Sequence, residues 1–352
     1  MASPTQQDPL VSIIVLNYNG LPFLPRCLET LAATRYRPME IIVVDNASKD
    51  GSLSYIRQNF PEVRIIPFDK NWGYSGAYNR AVASASGEIL VLLNFDVEVE
   101  TDWLDQPLEL FVADARLAAC QPKLRGMKER QRFEYAGACG GFLDRYGYPF
   151  TRGRVFDVLE PDTGQYDDAR ECFWATGAAL IIRKAAYLEV GGLDDTFFLH
   201  MEEIDLCWRL HLCGWKVCVA PRGIVYHYSG AALSSERFLK IYYNQRNSLM
   251  MLMKNYSFGW LLPALGGRFL FDLVTLVSSP LRREPKRSVA VVAAYIWILS
   301  HLWLLLKKRR EVQRLRSLPD RQALKSILPK SLVIAYFLRK KRTFKNLVPA
   351  GW

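Results

Sequence analysis

Two clusters of side chains in this sequence have the types and spacing for chemistry. The first is Asn94-Phe95-Asp96, an amide and a carboxylate two residues apart, directly after the apolar run Ile89-Leu90-Val91-Leu92-Leu93. In open α/β sheets, ligands collect in the crevice beyond the carboxyl ends of the strands. Oxygen donors at that edge suit a hard cation, Mg²⁺ or Mn²⁺, which keeps coordination positions free for phosphate. The same residues also make an ordinary polar turn, because Asn and Asp dominate turns. The second cluster is Glu202, Glu203 and Asp205, three carboxylates within four residues, after Phe197-Phe198 and at the start of a helix marked by Ile204, Leu206 and Leu210. The helix dipole draws acids to an N-terminus, but three so close are more than a solvated face requires.

Positioning these groups falls to short apolar strands. Val11 to Leu16 ends in Asn17-Tyr18-Asn19-Gly20, and Glu40 to Val44 ends in Asp45-Asn46-Ala47-Ser48-Lys49-Asp50-Gly51-Ser52. Between them Leu24, Cys27, Leu28 and Leu31 recur at helical spacing over Leu21 to Arg35, with Pro22 near the start, and a second helix is expected at about Ser52 to Asn59. Strand, helix, strand, helix with apolar strands predicts an α/β fold with a mostly parallel sheet and helices on both faces. Right-handed crossovers put the strand ends along one edge, so Asp45, Asp50, Asn94 and Asp96 are expected to line one crevice. Asp50, just before a helix, reads equally well as an N-cap.

The motifs VLNYNG, VVDNASKDGS, NWGYSGAYNR and LLNFD, in this order, resemble the nucleotide-sugar-binding half of a family 2 glycosyltransferase with the Rossmann-like GT-A fold. WATGAALIIRKAAYLEVGGLDDTFFLHMEEIDLCWRL resembles the acceptor and catalytic half, and the resemblance runs from about Leu10 to Met253. Within the family, the bacterial rhamnosyltransferase-like enzymes of cell-surface polysaccharide assembly are the nearest in look.

The resemblance implies roles. Asn17, Asn19, Asp45 and Asp50 stand on the donor side, with Asp45 on the nucleoside. Asn71, Gly73 and Asn79 match a glycine-bearing loop opening a helix near the diphosphate, where a helix N-terminus favours anions. Asn94-Phe95-Asp96 departs from the family's Asp-x-Asp, which makes Asp96 the direct metal ligand and leaves Asn94 for a sugar hydroxyl or a metal-bound water. A Glu-Asp pair in the family supplies the general base as its second acid, so Glu203 takes that role by position, with Glu202 and Asp205 bonding hydroxyls or orienting Arg209. His227, between an apolar strand and a turn at Gly230, matches a histidine near metal or diphosphate, although a lone His is more often packed or capping. Arg246 matches a phosphate-contacting Arg. Trp174, Thr176 and Gly177 match a wall against donor sugar or acceptor; a buried Trp is the alternative.

The net charge of +11 is distributed unevenly: after Phe258 there are 19 Lys and Arg against four acids. Basic clusters Arg282 to Arg287 and Lys307 to Arg310 alternate with the apolar runs Trp260 to Ser279 and Val289 to Leu306, and Leu332 to Lys345 repeats the theme. Trp297, Trp303 and the Leu run would be wasted on nucleic acid, so an anionic membrane surface is the expected partner. Arg268 and Asp272 would each cost on the order of 2.5 to 3.5 kcal/mol at mid-bilayer, which favours helices lying in the interface over a span; core helices of a soluble domain are the alternative. Seven cysteines without a Cys-x-x-Cys pair suit free thiols in a reducing compartment. Residues 1 to 9 are polar and lack a basic start, so no secretory signal is expected.

These expectations divide the chain into a disordered tail at 1–9, a GT-A domain at 10–255 and a basic, apolar helical region at 256–352. The implied activity is inverting transfer of a sugar, first of all rhamnose, from dTDP-rhamnose or a UDP-sugar to a hydroxyl of a lipid-linked or cell-surface glycan, with a divalent metal, at the cytoplasmic face of a bacterial inner membrane. A polyprenyl-phosphate glycosyl synthase and a non-catalytic nucleotide-sugar-binding scaffold are the rivals. A dehydrogenase is disfavoured because Asn17-Tyr18-Asn19-Gly20 lacks Gly-x-Gly-x-x-Gly.

Overall fold

The computed structural model describes residues 8–228, 238–349 and 352, so most of the expected N-terminal tail and the turn at Gly230 lie outside the described residues. The apolar runs form β1 (Val11–Asn17), β2 (Met39–Asp45), β3 (Arg64–Pro67) and β4 (Ile89–Asn94), paired in parallel. Their side chains alternate as a pleated strand requires. Ile13, Val15, Val43, Val91 and Leu93 enter one core, while Ile14, Ile42, Val44, Leu90 and Leu92 enter the other. Helices α1 (Leu24–Ala32) and α2 (Ser52–Asn59) cover the first face and α3 (Gly73–Val82) the second. The helix expected over 21–35 is shorter at both ends, with Pro25 in its first turn.

The chain continues through β5 (Val97–Val99), α4 (Asp105–Ala113) and β6 (Leu117–Gly126). Four short strands follow: β7 (Gly141–Asp144), β8 (Pro149–Thr151), β9 (Arg154–Val155) and β10 (Val158–Leu159). Then come β11 (Arg170–Glu171), β12 (Ala179–Arg183), α5 (Lys184–Glu189), α6 (Glu202–Leu212) and β13 (Lys216–His227). The main sheet runs β11-β13-β6-β12-β4-β1-β2-β3, with β5 on β13. β12 lies antiparallel between β4 and β6, so the sheet is parallel from β3 to β4 and mixed beyond. A second sheet, β10-β9-β8-β7, is completed by β14 (Ile327–Leu328), far along the chain.

Helices α7 (Phe238–Asn255), α8 (Phe258–Leu281), α9 (Pro285–Ser300) and α10 (Leu302–Leu315) follow the main sheet. α8 is long and apolar enough to cross a membrane, and α9 and α10 are bent by 75° at their junction. The charges that argued against a span are turned inward. Arg268 Nε lies 3.2 Å from Asp272 Oδ1, and the guanidinium also donates to Ser248 Oγ and Gln245 Oε1 of α7, at 2.8 and 2.7 Å. Leu270, Val274 and Val277 on the outer side are 62, 64 and 70% exposed. The segment Leu332 to Lys345 departs from the expected repeat of this pattern. Leu332, Tyr336 and Phe344 are buried, and they reach back to Asp144, Asp157 and the ring of Phe142.

Candidate active site

The β1 and β2 ends are in register, Asn17 opposite Asp45. Asn17 is fully buried; its Nδ2 donates to Asp45 Oδ1 at 2.8 Å and Ser52 Oγ at 2.8 Å, and Gly20 N donates to its Oδ1. Asp45 Oδ2 accepts Ser48 N at 3.0 Å. Asn19 is exposed, with its Oδ1 accepting Lys49 N. Asp50 accepts Leu21 N at 2.8 Å and Ser52 N at 3.1 Å, so the carboxylate braces the loop and the start of α2, while the N-cap position itself is Gly51. Burial raises its proton affinity, and the donated N–H groups outweigh that and leave its pKa below the usual carboxylate value.

Asn71 and Gly73 stand at the start of α3, where Asn46 fastens them. Asn46 Nδ2 donates to Asn71 Oδ1 at 2.9 Å and Trp72 N donates to Asn46 Oδ1. Gly73 has φ +70, and a Cβ there would lie 2.6 Å from the Phe198 carbonyl oxygen, so only glycine fits. Asn79 does not face the crevice. Its amide donates to Leu193 O and Asp195, and its oxygen accepts Tyr187 OH and Leu193 N, which uses its full hydrogen-bonding capacity.

At the end of β4, Asp96 and His227 converge. Asp96 Oδ1 lies 3.2 Å from His227 Nε2, and Asn94 Nδ2 is 3.5 Å from the same nitrogen. Glu134 Oε1 approaches His227 Nδ1 at 3.2 Å. Burial opposes a charged imidazole, but the two carboxylates overcome it and push the His227 pKa up to about 10. A pocket that draws in a proton so strongly offers the charge a divalent cation would satisfy, since cation and proton compete for the same lone pairs. Among the described residues no three His, Cys, Asp or Glu gather as a metal site. The donors present therefore fit a cation of the Mg²⁺ or Mn²⁺ kind, bound by one or two protein groups and completed by water and phosphate.

The third wall is the start of α6. Phe198, His200 and Met201 precede it with φ of +61, +70 and +72, conformations that cost on the order of 1–3 kcal/mol each in non-glycine residues. Asn247 of α7 holds this turn by donating to the carbonyls of Phe197, Leu199 and His200 at 3.1, 2.9 and 2.7 Å. Arg246 Nη2 donates to Thr196 O and Phe197 O, so the guanidinium expected on phosphate is engaged with the same turn. The turn sets Glu202 and Glu203 at the helix start, with Oε2 of each buried and lacking a partner. Burial pushes the Glu203 pKa up to about 7; burial and the neighbouring Glu203 charge push Glu202 higher still. Glu203 remains partly open to solvent, so at neutral pH it is the member of the pair that ionises more readily.

Asp205 takes the second of its two expected roles. It is fully buried and accepts Arg209 Nε at 3.0 Å, Lys254 Nζ at 3.1 Å and Asn255 Nδ2 at 2.9 Å, so it joins α6 to α7 and orients Arg209 instead of meeting a substrate. Trp174 takes the buried alternative and not the wall. Its ring packs on Gly141 and its Nε1 donates to Phe142 O at 2.9 Å, inside the protein. Thr176 is buried and caps the turn into β12 through Ala178 N. Gly177 is the contact between walls: its carbonyl accepts Tyr74 OH, Glu203 Cβ is near it, and the next residue's carbonyl accepts Asn94 N at 3.1 Å.

Tyr74, Asn46, Glu134 and Asn247 were missed in the sequence. Asn46 and Tyr74 lie inside the recognised motifs, and Asn247 follows Arg246, so position could have flagged them. Glu134 lies in the stretch from Lys123 to Arg154, which carries no motif.

Residues 12–176 match the family described as Glycosyl transferase family 2. N-acetylglucosaminyl-diphospho-decaprenol L-rhamnosyltransferase of Mycobacterium tuberculosis is 26% identical over 309 residues, covering 80% of this chain and 98% of that protein. A crystal structure of S. aureus TarS 1-349 in complex with UDP-GlcNAc matches with a TM-score of 0.52 at 16% identity, covering 87% of this chain and 88% of the other. GalNAc-T7 with UDP, GalNAc and Mn²⁺ matches with a TM-score of 0.58 at 16% identity over 72% of this chain, which spans 49% of that one. The two structural likenesses concern the fold. Taken with the family match and a relative covered nearly end to end, they identify this enzyme as a glycosyltransferase with a GT-A-like fold, whose residues 12–176 match family 2.

Proposed function

We propose that the enzyme moves a sugar from a nucleoside diphosphate to a hydroxyl of a lipid-linked glycan by single displacement, with inversion, and that rhamnose is the sugar. The observation that carries this is Glu203: a partly open carboxylate with an unpartnered oxygen and a pKa near neutrality, separated from Asn94 only by the turn at Gly177 and Ala178. An attacking hydroxyl there meets a base with its pKa close to neutral pH, so that a large share of it is ionised and it holds the proton once transferred. Glu202, protonated beside it, donates a hydrogen bond to a sugar or acceptor hydroxyl. Asp45, with Asn17 and Asn19 behind it, meets the nucleoside, and the amide groups at Gly73 face the diphosphate. Asp96 and His227, with Asn94 beside them, would hold a divalent cation, which would offer positive charge to the leaving diphosphate.

Rhamnose and a lipid-linked acceptor are supported by the name of the mycobacterial relative. A membrane-bound acceptor also suits the outer faces of α8 and α9, which carry exposed apolar side chains and are followed by basic clusters at Arg282 to Arg287 and Lys307 to Arg310. We assign the transferase domain to residues 10–255 and membrane attachment at the cytoplasmic face to the helices after it, lying in the interface. Holding a soluble donor near a tethered acceptor makes their encounter local.

The test is transfer and hydrolysis across deoxythymidine, uridine and guanosine diphosphate sugars, with Mn²⁺ or Mg²⁺ and a membrane extract, comparing wild type with Asp96→Ala and Glu203→Gln. Turnover of dTDP-rhamnose lost in both variants is expected. Full turnover in Glu203→Gln would remove the base and favour a phosphate acceptor, which needs none; donor binding without turnover in wild type would leave a scaffold.

A further inference from the structure

Beside β14 lies a cavity of about 310 Å³ that no group described above uses. Lys330, Arg339 and Lys341 line it, over Tyr146, Leu328 and Leu347. Among the described residues none of the three cations has an ion-pair partner, and after Asp320 the sequence carries eight Lys and Arg without one Asp or Glu. The acids nearest this segment are already committed: Asp144 accepts Leu332 N, Asp157 accepts Tyr336 OH and Glu160 accepts Phe344 N. Three unpaired cations at one cavity, one of them Arg, suit a phosphate, which accepts several charge-assisted hydrogen bonds at once.

The surroundings select the kind of phosphate. Tyr146 also packs on α8, where a Cβ on Gly267 would lie 2.1 Å from its ring and Phe271 stands edge-on at 5.2 Å. Ile334 lines the cavity, and Ile334 and Leu338 are 38 and 75% exposed. A soluble phosphate gains nothing from apolar side chains at the mouth, whereas a lipid buries its chain on them. We infer that this cavity binds the phosphate headgroup of an anionic glycerophospholipid whose acyl chains lie along Ile334, Leu338 and the outer face of α8. The inference rests on the membrane attachment proposed above and gives it a headgroup preference.

Flotation of the full chain with vesicles tests it, using phosphatidylcholine alone and phosphatidylcholine containing phosphatidylglycerol. Wild type is compared with the cavity variant K330Q/R339Q/K341Q and with the charge-matched control R37Q/R57Q/R64Q, three exposed cations of the transferase domain. Phosphatidylglycerol should raise wild-type affinity, and the cavity variant should lose at least about tenfold of that gain while the control loses about threefold or less. Equal losses in both variants would show diffuse attraction and overturn the site. Lipid binding displaced by millimolar inorganic phosphate would assign the cavity to a soluble anion and overturn the lipid. Binding to neutral vesicles without a phosphatidylglycerol preference sinks this inference alone; binding to no vesicle sinks the membrane attachment as well.

Discussion

Glu202 and Glu203 are adjacent carboxylates that cannot both be ionised at low cost, and their environments separate them. With Glu203 as the proposed base, kcat/KM should rise about tenfold per pH unit on the acid side and level off near pH 7, where its raised pKa lies. Glu203→Gln should lower kcat by about 10² to 10⁴ and leave nucleotide binding, measured by calorimetry, unchanged. Asp96→Asn should raise the Mn²⁺ concentration for half-maximal activity by about tenfold or more; an unaltered requirement would remove Asp96 from the cation. Asn94, Asp96 and His227 could be picked out in the sequence because their types are distinctive at a strand end. The different fate of Asp205 could not, since its partners Lys254 and Asn255 come from another helix, 49 and 50 residues away.

The joint between α6 and α7 depends on those buried partners. Asp205→Ala leaves Lys254 and Arg209 as buried cations short of a counter-charge, and the loss should be about 3–5 kcal/mol in denaturant unfolding. A loss under 1 kcal/mol would mean that Asp194, which also pairs with Lys254, suffices. Among elements, β1, β2 and β4 were legible because apolar β-branched runs leave little alternative. The antiparallel insertion of β12 was not, because a strand buried on both faces has the same composition in either direction. The positive-φ turn before α6 was hidden too, as Phe198, His200 and Met201 are not turn formers and hold that conformation only under the clamp of Asn247.

At the scale of the molecule, the uneven charge was visible in composition, but the inside-out arrangement of α8 was not. Arg268 and Asp272 looked like obstacles to lipid until α7 supplied their partners. If the outward face meets lipid, Leu273→Glu with Val277→Glu should weaken vesicle binding by tenfold or more, since each side chain contributes about 1.5–3 kcal/mol when buried, and should leave the hydrolysis of soluble donor nearly intact. Retained flotation would place the attachment elsewhere. One feature of the small sheet also bears on how the molecule is made. Its edge strand β7 pairs in parallel with Ile327 and Leu328 of β14, which are translated after α8, α9 and α10. While those helices leave the ribosome, β7 keeps an open edge, so under the proposed membrane attachment the apolar helices could reach lipid before the sheet is closed. A fragment stopped at residue 315 would carry that unpaired edge and be prone to aggregate.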